Sequence, residues 1–113
     1  DAPQSRVEVL EAAGASVVSL PGTRSLDLGA ALDYIGGRAI NELHVEAGAT
    51  LSGALLEAGL VDEIVCYTAP AIMGEGLPFA RLGPFEHMDQ VSRWTFVSVD
   101  RAGDDVELVL RKQ

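Results

Sequence analysis

The chain has 113 residues, 48% of them hydrophobic and 5% aromatic, with 12 glycines and 5 prolines; this fits one small globular domain and excludes a disordered tail. Seventeen acidic residues against eight basic ones leave a net charge of −9, a field that repels the backbone of DNA or RNA and an anionic leaflet. No apolar run is long enough to span a membrane, and no basic and apolar leader opens the chain.

A domain of this size exposes much of its surface and has little stability to spare, which favours a partner surface. The single cysteine, Cys66, cannot form an intrachain disulfide. Its strand-like setting among Ile64, Val65 and Tyr67 predicts a buried thiol in a reducing compartment, with cytoplasm as the default. The first residue is Asp1 rather than Met, and the expectation is a piece of a longer protein.

Ser5-Arg6-Val7-Glu8 has capping-box spacing, Val7, Leu10 and Ala13 share a stripe, and Gly14 suits a left-handed cap, so a helix is predicted from Ser5 to Ala13. Ala15 to Leu20 reads as a strand closed by a Pro21-Gly22 turn. A second helix follows Asp27, carrying Leu28, Ala31, Leu32 and Ile35, and ends at Gly36-Gly37. Glu42 to Glu46 alternates polar and apolar as a strand does. It leads through Ala47-Gly48-Ala49 into a third helix with Leu51, Ala54, Leu55 and Ala58 on one face and Gly59 behind.

Ile64 to Ala69 is an apolar strand stopped by Pro70, and Met73-Gly74-Glu75-Gly76-Leu77-Pro78 is a surface loop. Trp94 to Val99 and Val106 to Leu110 form a hairpin around Gly103, which supplies a positive φ. This order predicts an α/β fold in which parallel βαβ units with right-handed crossovers carry an antiparallel hairpin at one side.

The segment Leu43 to Leu56 is the most informative for chemistry. A turn between a strand end and a helix N-terminus leaves unpaired N–H groups facing a crevice, where anions and phosphates bind. Gly48 lets a ligand approach the backbone, Thr50 and Ser52 offer hydroxyls in the first turn, and Gly53 lets a ligand or a strand lie against the helix. The pattern is neither G-x-G-x-x-G nor a Walker loop, and an ordinary βα turn is the alternative. Glu46 stands at the strand end, placed to accept hydrogen bonds from a ring N–H or amine; its alternative is a helix-capping or solvated carboxylate.

Three stretches, Val45-Glu46-Ala47-Gly48-Ala49-Thr50-Leu51, Ala54 to Glu63, and Ala69-Pro70-Ala71-Ile72-Met73-Gly74, with Leu26-Asp27-Leu28 before them, carry a specific likeness. The region from about Leu26 to Gly74 resembles the carboxyl-terminal reductase domain of the bifunctional riboflavin biosynthesis deaminase–reductase, a dihydrofolate-reductase-like family. The resemblance implies a dihydrofolate-reductase-like mixed sheet and NADPH-dependent reduction of a phosphorylated ribosylaminopyrimidine, 5-amino-6-(5-phosphoribosylamino)uracil, from the ribosyl to the ribityl form. It makes Glu46 the substrate-binding and catalytic glutamate. Gly48, Ala49, Thr50, Leu51, Ser52, Gly53 and Ala54 become the loop and helix start that hold the NADP phosphates.

Two departures go with it. Glu46-Ala47-Gly48 stands where the family commonly has Glu-Gly-Gly, in a fold whose corresponding dipeptide can be cis; a cis Ala47–Gly48 bond would cost roughly 3 kcal/mol. The chain also begins partway into the family domain and lacks the deaminase zinc signature.

Hydride delivery needs orientation and a dry site more than a nucleophile, so Glu46 is read as orienting the substrate. His44 and His87 have no ligand-spaced partners and no metal is predicted. Tyr67, Trp94 and Phe96 read as packing or interface residues, and an apolar sheet edge makes a homodimer plausible. The competing readings are a related NADPH reductase of another heterocycle, and a non-catalytic chain that serves assembly.

Overall fold

A computed structural model describes residues 3–20 and 25–113. They belong to two units, Asp1–Leu43 and His44–Gln113, and the expected Pro21-Gly22 turn lies outside the described residues.

In the first unit, helix α1 spans Gln4–Ala12. It opens at Pro3, whose fixed φ of −56° and free carbonyl start the helix, and Arg6 N–H donates to Pro3 O at 2.8 Å. Ser5 therefore sits inside the first turn and caps nothing. The helix stops as expected, with Gly14 at φ +89° and Ala15 N–H reaching Leu10 O at 3.0 Å. Helix α2, Leu28–Gly36, is capped by Asp27, whose carboxylate accepts from Ala30 N–H at 3.0 Å. Beyond it the Arg38 guanidinium lies 5.1 Å from the centre of the Tyr34 ring, a cation–π contact.

The second unit begins with helix α3, Ala49–Glu57, and continues into strand β1, Glu63–Thr68. Gly59, at φ +69°, turns the chain between them. A long irregular stretch and a short 3₁₀ turn, Met88–Gln90, precede strands β2, Trp94–Ala102, and β3, Asp105–Lys112. The last two form the expected hairpin, and Gly103 takes φ +68°. Its ladder runs further toward the turn than the sequence indicates, because Arg101 pairs with Val106 and Ala102 with Asp105.

The expected parallel units do not form among the described residues. Residues 15–20 and 42–46 are irregular, and the sheet that exists is wholly antiparallel in the order β1-β3-β2. Alternation and β-branching make a segment willing to extend, but a strand exists only where a neighbour completes its N–H and C=O groups. Neither segment has such a neighbour here.

The register sorts the sheet into two faces. Ile64, Leu110 and Phe96 lie abreast on one, followed by Cys66, Leu108 and Val99. The other carries Glu63, Arg111 and Thr95, then Tyr67, Glu107 and Asp100. On it Arg111 Nε donates to Glu63 Oε2 at 2.8 Å, and the Tyr67 hydroxyl donates to the Glu107 carboxylate. Cys66 is half-buried rather than buried, because its face is open: Phe96 is 59% and Val99 58% exposed. Among the described residues Leu55, 8% exposed, is the buried hydrophobic side chain.

Two outcomes follow. Asp27→Ala lowers the free energy of unfolding by about 1 kcal/mol in urea titration, whereas Ser5→Ala changes it by less than about 0.5 kcal/mol. The hydrogen bond to Glu107, and then the charge of that carboxylate, hold the Tyr67 hydroxyl above its ordinary pKa of 10.0. Because the folded-state value is raised, the stabilisation is complete below the unfolded pKa and is lost as pH rises through the folded one. Tyrosinate absorbance therefore includes a component titrating above pH 10.0 that moves down in Glu107→Gln and disappears in Tyr67→Phe.

Candidate functional site

Glu46 lies on the irregular segment leading into α3, and its side chain is 87% exposed. His44, two residues earlier, places Nε2 3.4 Å from Glu46 Oε1. The carboxylate thus points to solvent beside an imidazole, open to a ligand from outside the chain. The Ala47–Gly48 peptide is trans, since the one cis bond among the described residues is Gly83–Pro84. Gly48 adopts φ −73° and ψ 166°, extended backbone that the preceding alanine enters without a cis link.

Gly48 is the residue at which α3 begins, and it brings no side chain to cap the helix. The first-turn N–H groups of Ala49, Thr50 and Leu51 have no carbonyl one turn back to receive them. A Cβ at Gly48 would meet nothing within 4 Å, and its negative φ is open to any residue. Neither backbone nor neighbour requires glycine there, so what glycine provides is room in front of the amides. Ser52 N–H donates to Gly48 O at 3.1 Å, and its hydroxyl donates to Ala47 O at 3.3 Å. These bonds tie the turn that follows Glu46 to the helix behind it.

Gly53 is buried and has a different reason to be glycine. A Cβ there would stand 2.0 Å from the Arg81 carbonyl oxygen. Arg81 N–H also donates to Ala49 O at 2.8 Å, so the backbone around Arg81 lies across the first turns of α3. The room beside Gly53 is filled by the chain itself, and Ala54 is half-buried. The structure therefore brings Glu46, Gly48, Ala49, Thr50, Leu51 and Ser52 together at one exposed corner, and turns Gly53 to the inside. Sequence reading missed the place of Arg81, because no local pattern joins it to a helix some thirty residues earlier.

A concavity of about 380 Å³ lies at the other end of α3 among Leu56, Gly59, Phe85, Gln90, Trp94 and Lys112. Trp94 Nε1–H donates to Ser92 Oγ at 3.2 Å there, and no residue from 46 to 54 lines it. Tyr67, expected as packing, is 59% exposed and engaged with Glu107. Among the described residues no cluster of His, Cys, Asp or Glu could hold a metal ion, and no helix is long and apolar enough to cross a membrane.

The family profile of the RibD C-terminal domain matches residues 1–108. The chain belongs to this family. It is 40% identical over 86 residues to the riboflavin biosynthesis protein RibD of Escherichia coli, an alignment covering 75% of this chain and 23% of that protein. It is 32% identical over 88 residues to the 5-amino-6-(5-phosphoribosylamino)uracil reductase of Buchnera aphidicola, covering 77% of this chain and 42% of the relative. The chain thus spans less than half the length of either. Among solved structures, Acinetobacter baumannii RibD superposes with a TM-score of 0.70 at 32% identity, over 80% of this chain and 26% of that one. The mixed helix and strand composition of this RibD C-terminal domain accords with that likeness.

The two glycines of α3 separate in measurement. Gly53→Ala forces the Arg81 backbone aside and destabilises the protein by about 1–3 kcal/mol in urea titration. Gly48→Ala, facing open space, changes stability by less than about 1 kcal/mol.

Proposed function

We propose that this chain is the cofactor- and substrate-facing part of an NADPH-dependent reductase that converts the ribosyl group of 5-amino-6-(5-phosphoribosylamino)uracil to ribityl, as the name of the Buchnera relative describes for that protein. One observation carries the reading: an uncapped helix N-terminus, opened by a glycine that nothing in the chain requires, directly follows an exposed carboxylate. In this reading Gly48, Ala49, Thr50, Leu51 and Ser52 receive the dinucleotide phosphates on backbone N–H groups, where the helix dipole favours negative charge. Gly53 acts from behind, by letting the backbone at Arg81 lie against the helix, with Ala54 half-buried beside it.

Glu46 accepts hydrogen bonds from N–H groups of the pyrimidine and so orients the opened sugar. The chemistry that a reduced nicotinamide supplies when bound is a hydride. The remaining work is positioning, and an exposed carboxylate held beside a short, tethered turn is suited to it. The reading includes a dihydrofolate-reductase-like arrangement for the whole reductase, a cytoplasmic setting, and a homodimer supported by the open apolar face of Phe96 and Val99.

Calorimetric titration of NADPH tests the cofactor part. Saturable binding is expected, weakened at least about tenfold by Gly48→Val, whose side chain occupies the approach to the amides. Glu46→Gln is expected to leave NADPH affinity unchanged and to raise the KM for the pyrimidine about tenfold or more, as loss of a charge-assisted hydrogen bond does. A folded protein that binds no NADPH would support the non-catalytic assembly reading.

A further inference from the structure

The stretch from Glu46 to Ala54 contains no lysine or arginine. A dinucleotide phosphate approaching α3 meets backbone dipoles but also the field of a chain with net charge −9, and the first turn of α3 holds no charged residue. Helix amides supply about half an elementary charge at most, so a nearby full charge would matter for anion affinity.

Within His44–Gln113 the basic residues are Arg81, Arg93, Arg101, Arg111 and Lys112. Arg111 is committed to Glu63 at 2.8 Å. The Lys112 ammonium sits 3.3 Å from where a Cβ on Gly59 would be, at the C-terminal end of α3. Arg101 belongs to β2, and Arg93 immediately precedes it. Arg81 differs from all four: its N–H donates to Ala49 O at 2.8 Å and its carbonyl rests on Gly53. Its side chain is exposed and in no ion pair among the described residues.

We propose that the Arg81 guanidinium anchors a phosphate of the dinucleotide held at the N-terminus of α3. The proposal rests on the cofactor reading above and adds to it a binding residue outside the Glu46–Ala54 segment. The backbone bond to Ala49 fixes the base of the side chain beside the first turn, and the long arginine stem spans about one helical turn. A guanidinium fork matches phosphate oxygens two at a time, which backbone amides and an ammonium do not. Among the described residues no carboxylate pairs with it, which leaves that fork available. With no Cβ on Gly53 in the way, the Arg81 carbonyl seats against the helix, and the Arg81 N–H bond to Ala49 O ties it there.

Fluorescence titrations of NADPH and NADH into the protein carrying this chain test the proposal, with circular dichroism confirming the fold of each variant. Arg81→Gln is expected to weaken NADPH binding about tenfold or more, and Arg81→Met, which keeps the aliphatic stem, to do the same. Arg81→Lys recovers part of the loss, and Arg101→Gln, a surface charge on β2, stays within about twofold of wild type. A loss shared by NADH assigns the guanidinium to the diphosphate; a loss confined to NADPH assigns it to the 2′-phosphate. Equal affinities for wild type, Arg81→Gln and Arg81→Met overturn the proposal. If Gly48→Val weakens binding in the same series, the cofactor site stands without Arg81; if wild type binds neither dinucleotide, both fall.

Discussion

Every pairing in the sheet runs through β3. It lies between β1 and β2, bonded to both, and each outer strand has one edge that β3 does not reach. With Leu55 as the buried hydrophobic side chain among the described residues, the order of this unit rests on backbone ladders more than on a packed interior. Removing apolar area from water normally supplies the largest favourable share of folding free energy. Here much apolar surface is left outside: Ile72, Leu77, Phe96 and Val99 are all more than half exposed. An exposed apolar surface of this kind is what a partner surface offers, the expectation that the small size of the chain raised.

Helix α3 shows one residue type serving three physical purposes within a dozen positions. Gly48 has an ordinary φ and empty space before it, so its lack of a side chain matters only to something that approaches from outside. Gly53 has neighbours that leave no room for a methyl group. Gly59 takes φ +69°, which a side chain on Cβ disfavours, and so ends the helix before β1. These separate reasons divide the helix into an outward corner, a braced middle and a left-handed exit. The corner is where the proposed cofactor site lies, and the Arg81 N–H bond to Ala49 O braces the helix behind it.

The relation between Glu46 and that corner is geometric rather than electrostatic. The carboxylate is exposed, with His44 its one close polar neighbour among the ion pairs described, and exposed pairs of this kind contribute little stability. Its value lies in its address, two residues before the glycine that opens α3. The Ser52 hydroxyl on Ala47 O keeps the intervening turn from loosening. A ligand spanning both features would find its acceptor and its anion-binding amides on one continuous stretch of backbone.

Much of this was legible in the residues. Capping by Asp27, left-handed glycines at 14, 59 and 103, the three helices, the β1 segment and the hairpin all follow from local preferences that a short window of sequence expresses fully. The family was equally visible. The failures share a cause. Residues 15–20 and 42–46 carry strand patterns, yet a strand needs a partner, and partnership is decided by chain that lies elsewhere. The antiparallel placement of β1 on β3 joins segments about forty residues apart, and the half-exposure of Cys66 depends on what covers that face. Local sequence thus determined where the chain turns and where its helices start and stop. Only tertiary structure decided which strands pair, which glycine faces open space and which faces the protein, and that Arg81 stands beside the helix it braces, because contacts between distant segments leave no periodic trace in either.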